Sequence, residues 1–382
     1  MRCLPLLALL LALAPLAAGE VRSPKIRGAE ELEEAERLDR RTQAFLREAA
    51  EYRLARVTAT PDPRAEEEVR AALARARAMR EHGGRAWYHL WLISRYTRAR
   101  WLAEDAYDAH PYAPNIGEVF HFALECRAAN REVRGTLNEL ERLWHWLPDY
   151  PRMGEAMRTA LAMAEDLQDF ATKLDLDAED PRAVVRLEGK SFVYDLDDLF
   201  RFLAEHGDRD EIAPRAQLGL ARSLLLSGER EDRWRARRAY EEFLARFPDH
   251  PLLFTAIFEQ ALSHLVAYKG DAYDAGALRD AAELVDLAEL EVRGDPERQE
   301  QVSRLRRRLT VWQQQRDLTV ARWYAARTRP RWLAWLKRPP ELADPDAGAR
   351  YYAAAVIRRD RASRPAAEAE ALQQQLPPAE DR

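Results

Sequence analysis

The stretch LPDYP at Leu147–Pro151 follows an amphipathic run, LNELERLWHW, and FPDHP at Phe247–Pro251 follows another, RRAYEEFLARF. A third stretch of the same kind, AHPYAP, ends at Pro114. Proline is tolerated in the first turn of a helix and just past the last, because its missing N–H is not needed at either place. A Pro-x-x-Pro pair therefore ends one helix and starts the next. The chain is expected to be a series of helices joined by tight corners.

The corners are spaced. Pro111 and Pro148 lie 37 residues apart, and Pro148 and Pro248 lie 100 apart. The longer interval is close to three units of about 34 residues, the period of the tetratricopeptide repeat. The clearest unit spans about Ala213–Pro251, with Leu218 and Gly219 in its first helix and Ala239, Phe243 and Pro251 in and after its second. The spacings Ala-x3-Phe and Ala-x11-Pro resemble the second half of that repeat, in which small residues let two helices approach and the aromatic fills the groove between them. Arg215 stands where the repeat has Trp, and about six extra residues around GEREDRWR separate the two helices. A weaker unit, Glu118–Pro151, places Phe122, Ala123, Leu143 and Pro151 on the same plan.

Composition agrees. Of 382 residues, 33% are charged and only 15 are Gly, and Ala, Leu, Arg and Glu dominate. That favours helices over sheets. The formal net charge of −5 carries no basic excess, which argues against a nucleic-acid footprint. The expected fold class is all-α, a tetratricopeptide-like solenoid of helical hairpins in a right-handed superhelix. One short β-hairpin insertion is expected around Val184–Tyr194, where β-branched residues flank Glu188 and Gly189.

Residues 1–19, MRCLPLLALLLALAPLAAG, join a positive start to a leucine-rich run too short to span a bilayer, and end in small residues. They read as a secretory signal peptide. The expected organisation is then N-terminal helical hairpins over 20–113, a repeat array over 114–376 with insertions at about 175–198 and 327–345, and a polar tail at 377–382. Cys3 leaves with the signal, so Cys126 stands alone, without an intrachain disulfide, in a helical pattern that suits a buried, inert thiol.

The helices expected along the way include Glu30–Arg56, Arg64–Glu81, Arg85–Ala109, Gly117–Ala129, Thr136–Trp146 and Pro151–Leu174. The aromatic stripe from Trp87 to Trp101 reads as repeat core. Catalytic patterns are missing from the sequence: there is no HExxH, no Gly-rich phosphate loop and no G-x-S-x-G. Glu118, His121 and Glu125 share one helix face and look like half of a di-metal site. The facing Glu-x-x-His that such a site needs is missing, so a solvated or pairing face is expected, with no metal and no cofactor. The segment Arg327–Pro340 sets Arg331, Lys337 and Arg338 around Trp332 and Trp335. It suits a membrane interface or an acidic partner surface; the other reading is a loop whose tryptophans pack back on neighbouring helices.

The C-terminal half carries a family resemblance. DLTVARWYAARTRP and ARYYAAAVIRRDRASRPAAEAEAL resemble the last repeats of BamD-type proteins, with Val320, Ala321, Tyr324, Ala349, Val356, Pro365 and Ala369 as the matching residues. The resemblance implies a periplasmic helical scaffold that helps assemble outer-membrane β-barrels, bound to a barrel-forming assembly protein. BamD-type proteins carry a lipidated cysteine directly after the signal. Glu20 occupies that place here, so no lipid anchor is expected.

The function expected is that of a non-catalytic, exported interaction scaffold whose concave face holds a folded partner or an apolar segment. Ala213, Ala216 and Leu220 are the first-helix positions expected to line that face. The alternatives are an exported adaptor unrelated to barrel assembly and, less favoured, a helical enzyme acting on peptidoglycan.

Overall fold

The computed structural model describes residues 42–60, 62–82, 94–176, 178, 180–183, 185–187, 195–227, 230–270, 275–292, 294–327 and 345–376. Among them are fourteen helices: α1 (42–58), α2 (Pro63–His82), α3 (Arg95–Ala109), α4 (Ile116–Ala129), α5 (Val133–Trp146), α6 (Met153–Ala171), α7 (Leu196–His206), α8 (Ile212–Leu226), α9 (Arg230–Arg246), α10 (Leu253–Val266), α11 (Ala275–Glu291), α12 (Pro296–Ala325), α13 (Pro345–Arg359) and α14 (Arg364–Gln375). The fold is all-helical, and from α2 to α14 each helix packs against the next. A second set of contacts joins α2 to α4, α4 to α6, α6 to α8 and α8 to α10.

The three proline corners share one hydrogen-bond pattern. At the first, His110 N–H donates to Ala106 O (3.0 Å), Ala113 N–H to His110 O (3.2 Å) and Ile116 N–H to Ala113 O (3.1 Å). At the second, Leu147 donates to Leu143 (3.1 Å), Tyr150 to Leu147 (2.9 Å) and Met153 to Tyr150 (3.2 Å). At the third, Phe247 donates to Phe243 (2.9 Å), His250 to Phe247 (3.2 Å) and Leu253 to His250 (2.9 Å). The prolines occupy the positions between these donors, where an absent N–H costs nothing. The residue before the first proline leaves the helix the same way at two corners, with φ −136° at His110 and −132° at Leu147. Gly117 lets the second corner close: a Cβ there would lie 2.6 Å from Cδ2 of Tyr150.

Between Pro148 and Pro248 lie α6 to α9, which is two helix pairs and not the three units expected from the interval. The extra length lies between α6 and α7. There α6 stops at Ala171 rather than continuing to Leu174, and Thr172–Leu174 forms strand β1. It pairs antiparallel with β2 (Val185–Leu187), Thr172 facing Leu187 and Leu174 facing Val185. Strand-forming residues do appear where a hairpin was expected, but their partner among the described residues precedes them; the expected second arm, 188–194, lies outside the described residues. The turn between α7 and α8 uses no proline. Asp208 instead accepts from the backbone of Glu211 through Oδ1 (2.7 Å) and from Ala213 through its carbonyl (2.8 Å).

The buried apolar residues form three clusters. The first runs from Ala49 to Ala256, the second joins α10, α11 and the first half of α12, and the third holds Leu318, Ala321, Ala353, Val356, Ala366 and Ala369. Helix α12 is 30 residues long, about 45 Å at 1.5 Å per residue, and contributes to the last two. Its start is fixed by Asp295, whose Oδ1 accepts from the N–H groups of Glu297 and Arg298 at 3.1 Å each, with Pro296 at the first helical position. Gly294 precedes that cap at φ +99°, a conformation glycine adopts without strain. Trp101, expected in the core, is 46% exposed; α3 buries its alanine stripe, Ala99, Ala103 and Ala106, instead.

Cys126 is fully buried, and burial pushes its thiol up to about 12. At pH 8 the thiolate is then about a thousandfold scarcer than for a free cysteine. Iodoacetamide is expected to label Cys126 only after denaturation. Labelling of the native chain at the rate of a small thiol would show that this helix face opens.

Candidate functional site

A cleft of about 620 Å³ crosses α6, α8, α10 and the start of α12, with Tyr240 of α9 at its base and Val185 of β2 at its edge. Its floor is apolar, formed by Leu225, Leu226, Phe254, Phe258 and Leu262. The rings of Phe254 and Phe258, one turn apart on α10, stack at 5.7 Å.

A half-buried ion pair stands in this floor. Arg222 of α8 grips Glu259 of α10, with Nε at 2.9 and 2.8 Å from the two carboxylate oxygens and Nη2 at 2.6 Å from Oε1. Tyr240 Oη donates to Glu259 Oε2 at 3.4 Å. Burial, reinforced by that carboxylate, holds the Tyr240 phenol well above its usual range. Burial also works against the Arg222 charge, and Glu259 more than offsets it, so the guanidinium stays protonated. Gln168 of α6 joins the group from the other side. Its Nε2 donates to Gly219 O (2.8 Å) and Ser223 Oγ (2.9 Å), tying α6 to α8.

The rim is charged. Arg298 lies 5.0 Å over the Phe254 ring, with Nε 3.2 Å from Asp295 Oδ2. Asp169 and Glu297 are exposed at the two sides. The cleft thus combines an apolar floor, a half-buried ion pair and carboxylates at its edges.

The residues singled out in the sequence fall mostly beneath this surface. Leu218, Ala239 and Phe243 are buried, Phe243 completely, and Pro251 is exposed at its corner. Gly219 admits the ring of Phe200: a Cβ would lie 2.4 Å from Phe200 Cε1. Ala213, Ala216 and Leu220, expected on the concave face, are buried in the first core. The groove-facing positions of α8 are Arg222, Leu225 and Leu226, on the other side of the helix. Arg331, Trp332, Trp335, Lys337 and Arg338 lie outside the described residues.

Arg222 and Glu259 escaped the sequence reading because Arg and Glu alternate through the whole chain. One signal was available. They stand 37 residues apart, the interval that separates Pro111 from Pro148, as equivalent positions on successive first helices would.

The face of Glu118, His121 and Glu125 is a pairing face. Glu118 accepts from Tyr150 Oη (3.0 Å) and Arg152 Nη1 (2.9 Å), and Arg80 reaches Glu125. His121 Nδ1 lies 2.8 Å from Tyr150 Oη, and burial lowers the His121 pKa. These contacts anchor Tyr150, and with it the LPDYP corner, on α4. A second cleft, about 680 Å³, opens beside that corner, lined in part by Arg53, Arg56, Trp146 and Asp149. Among the described residues no helix is long and apolar enough to cross a membrane.

No protein-family model matches this chain, and a comparison with curated proteins finds no match.

Proposed function

We propose that this chain is a non-catalytic interaction scaffold of tetratricopeptide type, a right-handed solenoid of helical hairpins that holds a partner segment in the cleft across α6, α8, α10 and α12. The observation that carries this is the lining. Four alternate helices present side chains to one concavity, and repeat arrays bind through such first-helix surfaces.

Export to the periplasm is part of the same reading and rests on residues 1–19. A role like that of BamD-type proteins in outer-membrane barrel assembly rests on the C-terminal resemblance. Its matching residues Ala321, Val356 and Ala369 belong to the third core, and Ala349 is buried on α13 beside it. An exported adaptor with a different partner, and an enzyme acting on peptidoglycan, are the competing functions.

A photo-crosslinking residue at Thr255, half-buried in the cleft, tests the proposal in cells, with Glu283 on the exposed face of α11 as the control. A discrete adduct from Thr255 alone is expected. A barrel-assembly component in that adduct supports the BamD-like role, and another exported protein supports the adaptor. No adduct, with a clearing band for the purified chain on a cell-wall gel, would replace the scaffold by the enzyme.

A further inference from the structure

Among the described residues four carboxylates line the cleft, Asp169, Glu259, Asp295 and Glu297, against two guanidiniums, Arg222 and Arg298. The two cations are already committed. Arg222 gives Nε and Nη2 to Glu259, and Arg298 is held by Asp295 and by the face of Phe254. Asp169 acts on Arg222 through space, and among the side chains described neither the Asp169 nor the Glu297 carboxylate has a hydrogen bond or ion pair. The first lies near the end of α6 and the second in the first turn of α12, so they stand on opposite flanks of the apolar floor.

Resting on the cleft as the binding site, we infer that its occupant is a basic-apolar protein segment, with leucine or aromatic side chains at its centre and a lysine or arginine toward each end. The floor supplies burial for the apolar centre. The exposed carboxylates of Asp169 and Glu297 supply the counter-charge for the flanks, where exposure leaves the attraction tunable by salt. An acidic segment meets the opposite situation. Its carboxylates would face Asp169 and Glu297, and the guanidiniums that could receive them, Arg222 and Arg298, already lie against Glu259 and Asp295. The chain as a whole adds to the preference, since its formal charge of −5 steers cations toward it.

Geometry sets the length. From α6 to α12 the lining crosses three helix intervals of roughly 10 Å or a little more, a distance that about nine or ten extended residues span. The probe is therefore a capped nonapeptide with a leucine–phenylalanine–leucine centre, made with lysine, glutamine or glutamate near both ends, and titrated into the full chain by fluorescence anisotropy. The lysine peptide is expected to bind at least tenfold tighter than the glutamate peptide, with affinity falling as salt rises. In the Asp169→Asn, Glu297→Gln double variant, the lysine peptide should fall to the affinity of the glutamine peptide. The thermal melt should move little, because both carboxylates are exposed. Equal binding of all three peptides, or a double variant that binds as before, overturns the basic occupant and leaves the groove standing. Binding of none of them overturns both.

Discussion

Truncating Phe243 to alanine is expected to cost about 3–5 kcal/mol, the range for a fully buried phenylalanine whose cavity cannot collapse. The ring is 0% exposed and packs on Phe247 at 5.3 Å and His250 at 6.2 Å, inside the FPDHP corner. Its backbone carbonyl receives the Phe247 N–H that begins the corner. The substitution leaves that bond in place and removes the side chain that gives the corner something to close on. The matched control is Glu242→Ala. Glu242 is 49% exposed and pairs with Arg238 one turn back at 3.2 Å. Exposed pairs of this kind contribute about 0.3–0.5 kcal/mol, so the control should barely move. Neighbouring helix pairs couple most strongly, so segment-resolved hydrogen exchange should find the loss of protection concentrated in α8 to α10, with α2 to α4 spared at first. Equal stability of the two variants would mean that Phe243 does not close the unit.

The second large effect is expected at Gly219, where two forces oppose each other. In a helix interior, Gly→Ala gains about 1 kcal/mol of propensity. Here the added Cβ would stand 2.4 Å from Cε1 and 2.6 Å from Cδ1 and Cζ of Phe200, itself fully buried. Overpacking of that kind costs about 1–3 kcal/mol for one or two added carbons. The clash should win, making Gly219→Ala a net loss and Gly219→Leu a loss of roughly 3 kcal/mol or more. Shortening the ring by Phe200→Leu should relieve the alanine variant, so the double variant should be more stable than the sum of the singles by over about 1 kcal/mol. A Gly219→Ala chain that melts at or above the parent temperature would show that the ring has room to move.

Both sites were legible in the sequence, for the same reason: proline, glycine and regularly spaced aromatics have few structural uses, so their positions carry information about backbone and packing. Pro148 and Pro248 mark corners because no other side chain removes a donor. Less specific chemistry was less legible. Helix α7 carries the helical period in Leu196, Leu199, Phe200 and Leu203. The β-branched residues just before it drew the irregular stretch too far along the chain. Trp101 was placed inside on hydrophobicity alone, although large aromatics often sit half-exposed. The ion pair in the cleft could not be read at all from local pattern, since Arg222 and Glu259 meet only once α8 lies against α10. Charged residues on a helical chain look alike until stacking selects which of them lose their water.

Helix α12 belongs to two cores. Val302, Leu305, Leu309 and Trp312 pack with α10 and α11, while Leu318 and Ala321 pack with α13 and α14. The terminal core is built mainly from alanine and valine, which bury little surface per residue. The last two helices should therefore let go before the rest, and the second half of α12 would then be a helix without a partner face, too short to persist by itself in water. Melting would travel inward along one continuous rod and stop where Trp312 still holds it. A single midpoint temperature would average over that progression, so a free energy of unfolding read at Phe243 or Phe200 belongs to the first core and not to the terminal helices.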